Sequence, residues 1–223
     1  MHLVFLIEDL SGKTMLQHLV PKMLAPDWTF EIHSYKGLGG KVPQSFRHDP
    51  KDAAHRIFLT ELPKLLAGFG KTFQSYGAEY PAALVIVCDL DDRDRHVFLN
   101  ELTALHERCS PKPPAAFCLA IEEGEAWLLG DVKAIERAFP RFDRTAWNRY
   151  NQDSICGTWE VLADVVYDGG SRRLKKEGPS AIGRMKSLWA EKIAPAMDVN
   201  QNRSPSFCHF RDTVRTIEKL ITK

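Results

Sequence analysis

A chain of 223 residues, 44% hydrophobic and 26% charged, is long enough to bury one substantial core and has the balance of an ordinary globular protein. Its formal net charge of +1 supplies no global field for polyanions, so any nucleic-acid contact has to come from local patches. The cysteines, Cys88, Cys109, Cys118, Cys156 and Cys208, form no C-x-x-C pair, which removes a zinc ribbon and argues for reduced thiols over a disulfide framework.

The chain opens on an apolar run, residues 3–7, of the kind that forms a strand buried on both faces. Glu8 and Asp9 stop it at once, too early for the apolar region of a signal peptide, and no other run reaches membrane-spanning length. The expected location is therefore the cytoplasm. Ser11 is placed to cap a helix in which Met15, Leu16, Leu19, Val20 and Met23 recur at helical spacing. Trp28, Phe30 and Ile32 alternate with polar residues, which predicts a half-exposed second strand. A glycine-rich basic loop follows, with Lys36, Lys41 and Arg47 at its borders. Ile57, Leu59, Leu62, Leu65 and Leu66 then indicate another helix.

Residues 82–88 and 115–121 are two further apolar runs, ended by Asp89 and by Glu122. Val97, Leu99, Leu102 and Leu105 predict a helix between them. Buried strands separated by amphipathic helices imply βαβ units and a mostly parallel central sheet flanked by helices, an α/β fold. Past Asp131 the strand pattern stops. Residues 159–167, 181–193 and 207–221 look helical, with Pro179 and Pro205 near helix starts. The expected organisation is an α/β domain over residues 1–131 and a helical extension over 132–223, packed on the same core. The tryptophans Trp127, Trp159 and Trp189, each with leucine neighbours, are expected to pack rather than to stack on bases.

Each fully apolar strand ends in acid: Glu8 after the first, Asp89 and Asp91 after the second, Glu122, Glu123 and Glu125 after the third. In a parallel sheet these ends share one edge, where α/β proteins place ligands. Crowded carboxylates repel one another unless a cation or a proton intervenes, and oxygen-only donors suit magnesium or manganese better than zinc. Any one of these acids could instead begin a turn or cap a helix. Ser11-Gly12-Lys13-Thr14 looks like the tail of a P-loop, but Ile7 stands where that motif needs glycine, and Glu8 and Asp9 would repel phosphate. Lys13, Lys36 and Lys41 are candidate phosphate contacts. Arg172-Arg173-Leu174-Lys175-Lys176 is read as a solvated helix face.

An acid closing the first strand and D-x-D closing a later one resemble the TOPRIM domain of topoisomerases, primases and overcoming-lysogenization-defect nucleases. The chain is most similar to a family of small bacterial TOPRIM-like proteins. The marks are Glu8 with Ser11-Gly12-Lys13, Asp89-Leu90-Asp91, the segment from Glu122-Glu123-Gly124-Glu125-Ala126-Trp127 to Leu128-Leu129-Gly130-Asp131, and Ser204-Pro205-Ser206-Phe207. The resemblance implies that Glu8 is a general acid/base and that Asp89 and Asp91 hold a divalent metal. Glu122 and Glu125 are further candidate ligands, and Glu8 itself is a possible one. It also implies a metal-dependent nuclease, with a partner ATPase in restriction or phage-defence loci. No arrangement of a transesterifying tyrosine is evident, so hydrolysis is expected rather than strand rejoining. The alternatives are a non-catalytic module that binds an ATPase or nucleic acid, and a nucleotide-binding regulator built on Lys13.

Overall fold

The computed structural model describes residues 1–46, 57–77 and 79–221. Arg47, a border residue of the glycine-rich loop, lies outside them. Among the described residues four strands form one sheet: β1 (His2–Ile7), β2 (Thr29–Ser34), β3 (Ala82–Asp89) and β4 (Ala115–Ala120). Their order is β2-β1-β3-β4, and every neighbouring pair is parallel. The third apolar run is one residue shorter as a strand than its hydrophobicity suggests. Ile121 falls outside it, where the chain turns into Glu122 at φ 61°.

Strand residues alternate between two cores, as the pleat requires. Leu3, Phe5 and Ile7 of β1, with Ala83, Val85 and Val87 of β3, face one side of the sheet. Val4 and Leu6, with Ala82, Leu84, Ile86 and Cys88, face the other. On the first side sits α1 (Leu10–Leu19), through Met15, Leu16 and Leu19. On the second sit α2 (Phe58–Tyr76), through Leu59, Leu62 and Leu66, and α3 (Arg95–Glu107), through Phe98, Leu102 and Leu105.

Strand order explains the division. The connection from β1 to β2 steps one way along the sheet, while those from β2 to β3 and from β3 to β4 step the other way. Right-handed crossovers that run in opposite directions put their helices on opposite faces. The direction reverses between β1 and β3, and the crevice beyond such a switch point is where open α/β sheets bind ligands.

The remaining helices are α4 (Glu125–Leu129), α5 (Val132–Ala138), α6 (Arg144–Asn148), α7 (Thr158–Val166), α8 (Gly170–Glu177), α9 (Pro179–Ile193) and α10 (Pro205–Thr216). Pro179 and Pro205 each sit at the first position of a helix, where a missing N–H costs nothing. The chain has no seam at Asp131. Trp127, Trp189, Phe207 and Phe210 share one cluster with Phe5 and Val85, and Trp127 stacks on Phe210 at 4.7 Å. Asp131 is itself buried. It caps α5 through the Ala134 amide at 3.1 Å and accepts from the Asp198 amide at 2.8 Å. Trp127 and Trp189 are fully buried, whereas Trp159 is partly exposed beneath Lys175. Among the described residues, no helix is long and apolar enough to cross a membrane.

Candidate metal centre

Glu8 leaves the end of β1 and Asp89 closes β3, so the two adjacent central strands deliver their acids side by side at the switch point. The Asp89 amide donates to the Glu8 carboxylate at 3.1 Å. Gly124 and Glu125, after β4, complete a cavity of about 20 Å³ that is also lined by Asp9 and Ser11. That is room for about one water or one small ion.

The turn after β1 is built by Asp9. The structure corrects the expected cap: Asp9, and not Ser11, starts α1, accepting from the Gly12 amide at 2.7 Å and from the Ser11 hydroxyl at 2.5 Å. The amide that a P-loop would offer to phosphate is thus taken by a carboxylate. A Cβ on Gly12 would lie 2.5 Å from the Ile7 side chain, so the glycine is needed for close approach to β1.

Sequence reading missed the central cation. Lys186 of α9 reaches into the acids, 3.1 Å from Glu125 and 3.2 Å from Glu123. A signal was present, because Lys186 lies three, four and seven residues before Trp189, Ala190 and Ile193, the buried stripe of its helix. A lysine on a core-facing stripe needs acids to meet it.

One ammonium does not neutralise this group. Burial pushes Glu8 up to about 7, with Asp9 and Asp91 adding repulsion against the Asp89 amide. Glu125 also rises to about 7 through burial, even though Lys186 pulls the other way. Burial and then Glu8 hold Asp89 well above the ordinary carboxylate range, and burial raises Glu123 too. Burial works against the Lys186 charge, but Glu125, Glu123 and Asp89 outweigh it and lift the ammonium above its usual range.

The other expected ligands point elsewhere. Asp91, at φ 51°, pairs with Arg93 at 2.5 Å, and Arg93 also donates to the Gly39 carbonyl at 2.8 Å. Glu122 caps α7. It accepts from the amides of Cys156, Gly157 and Thr158 at 2.8–3.0 Å and from the Thr158 hydroxyl. These bonds hold its carboxyl below the ordinary range although burial works the other way. Glu8, Asp89 and Glu125 are therefore brought together, while Asp91 and Glu122 are each committed to another partner.

No protein-family model, curated protein or solved structure matches this chain.

Of the candidate phosphate contacts, Lys13 is half-buried in the first turns of α1. Lys36 and Lys41 are exposed on the glycine-rich loop, which is tied to the site by the Gly37 amide donating to the Glu8 carbonyl at 2.8 Å. His33 lies beside Glu31 and against the Phe69 ring, and His96 is exposed. The donor set is all oxygen, which suits magnesium or manganese in chemistry. Among the described residues, however, no three His, Cys, Asp or Glu side chains stand in a metal-holding arrangement, and Lys186 supplies the positive charge.

Proposed function

We propose that this chain is a TOPRIM-like, divalent-metal-dependent phosphodiesterase acting on nucleic acid, with Asp89 as the residue that would hold magnesium or manganese and Glu8 beside it as the acid/base. The observation that carries the reading is the under-neutralised carboxylate set at the switch point, three acids raised despite a buried lysine among them. A bound divalent ion would supply the missing charge, stabilise negative charge developing on the phosphate and acidify a water. Glu8, with a pKa of about 7, is suited to accept a proton near neutrality. Lys186 orients Glu123 and Glu125 and adds positive charge beside the cavity. Lys13, Lys36 and Lys41 would meet flanking phosphates. The unpaired cysteines suit a reducing cytoplasm, and the family resemblance supports a partner ATPase and a place in phage defence.

The test is manganese-dependent hydrolysis of single-stranded DNA, duplex DNA and RNA by the purified chain, alone and with a neighbouring ATPase. Glu8→Gln should lose turnover by about a hundredfold or more while keeping metal-induced stabilisation. Asp89→Ala should lose both. Full activity in both variants would sink the catalytic reading. One observation favours a second reading, a non-catalytic module that binds an ATPase or nucleic acid. Lys186 already stands where a cation is wanted. On that reading, manganese leaves the melting temperature of the wild type unchanged.

A further inference from the structure

Asp91 is kept from the converging acids by a cation of the chain itself. Arg93 pairs with it at 2.5 Å and, through the other terminal nitrogen, donates to the Gly39 carbonyl at 2.8 Å and the Gly40 carbonyl at 3.3 Å. The guanidinium lies over the Phe98 ring at 5.2 Å, and Phe98 is buried in the second core. One planar fork thus fastens the glycine-rich loop to the turn after β3, a geometry that a lysine cannot copy. A second fastening is the Gly37 amide on the Glu8 carbonyl, and Leu38 between the two is buried. Gly39, at φ 92°, has no room for a side chain against Ile57.

The pair is open on its acidic side, where Asp91 is 48% exposed against 23% for Arg93. Exposed pairs of this kind are weak. The Asp91 backbone need not move for its carboxylate to turn. Its amide is held by the Glu122 carbonyl at 2.9 Å and the Leu90 amide by the Ala120 carbonyl, so the turn stays anchored at the end of β4. Asp91 already stands near enough to Glu8 for its charge to help raise the Glu8 carboxyl. Asp92 and Asp94 adjoin Arg93, so these surroundings suit a cation. What Arg93 now touches, one carboxylate and two carbonyls, is a set of hard oxygens of the kind a divalent ion prefers. The arginine and such an ion compete for one carboxylate. With a divalent ion on Asp91 the guanidinium would be repelled where it is now attracted, and its bonds to the loop would go with it.

We propose that Arg93 is a displaceable counter-ion: it keeps Asp91 turned aside and the glycine-rich loop fastened, and a divalent cation at Asp91 undoes both. The inference rests on the metal reading of this edge, and two measurements on the full chain separate their failures. The first is tryptic cleavage after Lys41, read by mass spectrometry. Val42 is buried, so the cut requires the loop to open. In chelator Arg93→Gln should be cut there about tenfold faster than wild type, and manganese should speed the cut only in wild type. The second is manganese affinity by calorimetry. Arg93→Gln should bind about five- to tenfold more tightly than wild type, and adding Asp91→Asn should remove the gain. Arg93→Lys keeps the charge without the fork, so it should free the loop and leave manganese affinity near the wild-type value. Cleavage of Arg93→Gln at the wild-type rate in chelator would overturn the fastening, whatever the metal does. Equal manganese affinity in wild type and Arg93→Gln would overturn the competition, while binding that still needs Asp89 would leave the metal reading standing. No manganese binding by any of these chains would remove both.

Discussion

Lys186 shows how much one side chain can decide. Its ammonium is mostly buried between Glu123 and Glu125, so removing it leaves carboxylates with no counter-charge in a desolvated place. Breaking a buried pair by deleting one partner costs about 3–5 kcal/mol. Lys186→Met should cost about that much at pH ~8 in chelator, read from denaturant midpoints. At pH ~5 the loss should shrink, since acids raised by burial can neutralise themselves with protons. An equal loss at both pH values would mean that packing of the lysine stem, and not its charge, holds α9 in place. Glu122 is the opposite case. Its four donors all come from the start of α7, so a residue that reads as a metal ligand in sequence is a helix cap in space.

Among the elements, the joint between α4 and α10 carries the segments that look most specific in sequence. The Trp127 indole donates to the Ser206 hydroxyl at 3.0 Å. Asn202 donates to the Trp127 carbonyl at 2.7 Å and accepts from the Ser204 amide at 2.9 Å. A Cβ on Gly130 would lie 2.0 Å from the Asn202 side chain, so glycine is required there. Asn202→Ala would leave a buried carbonyl and a buried amide unpaired, at about 1–3 kcal/mol each. Gly130→Ala should be at least as damaging, and both should lower the denaturant midpoint within a single cooperative transition. Separate transitions for the two halves of the chain would contradict a shared core. The four strands, α1, α3, α9 and α10 were legible because their apolar spacing is long and regular. The short helices α4, α5 and α6 were not, since five to seven residues give too few turns for a period to show. For the site, the strand-end acids could be read in sequence. Which of them converge could not, because Asp91 is turned aside by Arg93, which is anchored on the distant Gly39 carbonyl, and Glu122 by α7, far along the chain.

The whole molecule should carry the mark of its crowded acids in its pH dependence. Glu8 and Glu125 rise from 4.5 to about 7, so the folded chain holds their protons more tightly than the unfolded chain does. Stability from such groups is fully present below the ordinary carboxylate range and is lost as pH rises towards 7. The groups shifted the other way do not cancel this. Glu122 is held low, so its contribution is lost only at more acid pH, and the raised Lys186 stays charged throughout the window. At about 1.36 kcal/mol per pKa unit, the rise of the buried Glu125 alone accounts for about 3 kcal/mol of the fall. In chelator the melting temperature should therefore fall between pH ~5 and pH ~8. Glu125→Gln should flatten the fall and equal or exceed wild-type stability at the upper end. A divalent ion competes with protons for the same oxygens, so manganese should raise the melting temperature more at pH ~8 than at pH ~5. Thermal melts of wild type, Glu125→Gln and Asp89→Ala at the two pH values, with chelator or with manganese, separate these effects. A melting temperature that rises with pH in chelator would show that the carboxylates are already neutralised by the fold. Glu8 would then have no raised pKa with which to accept a proton near neutrality.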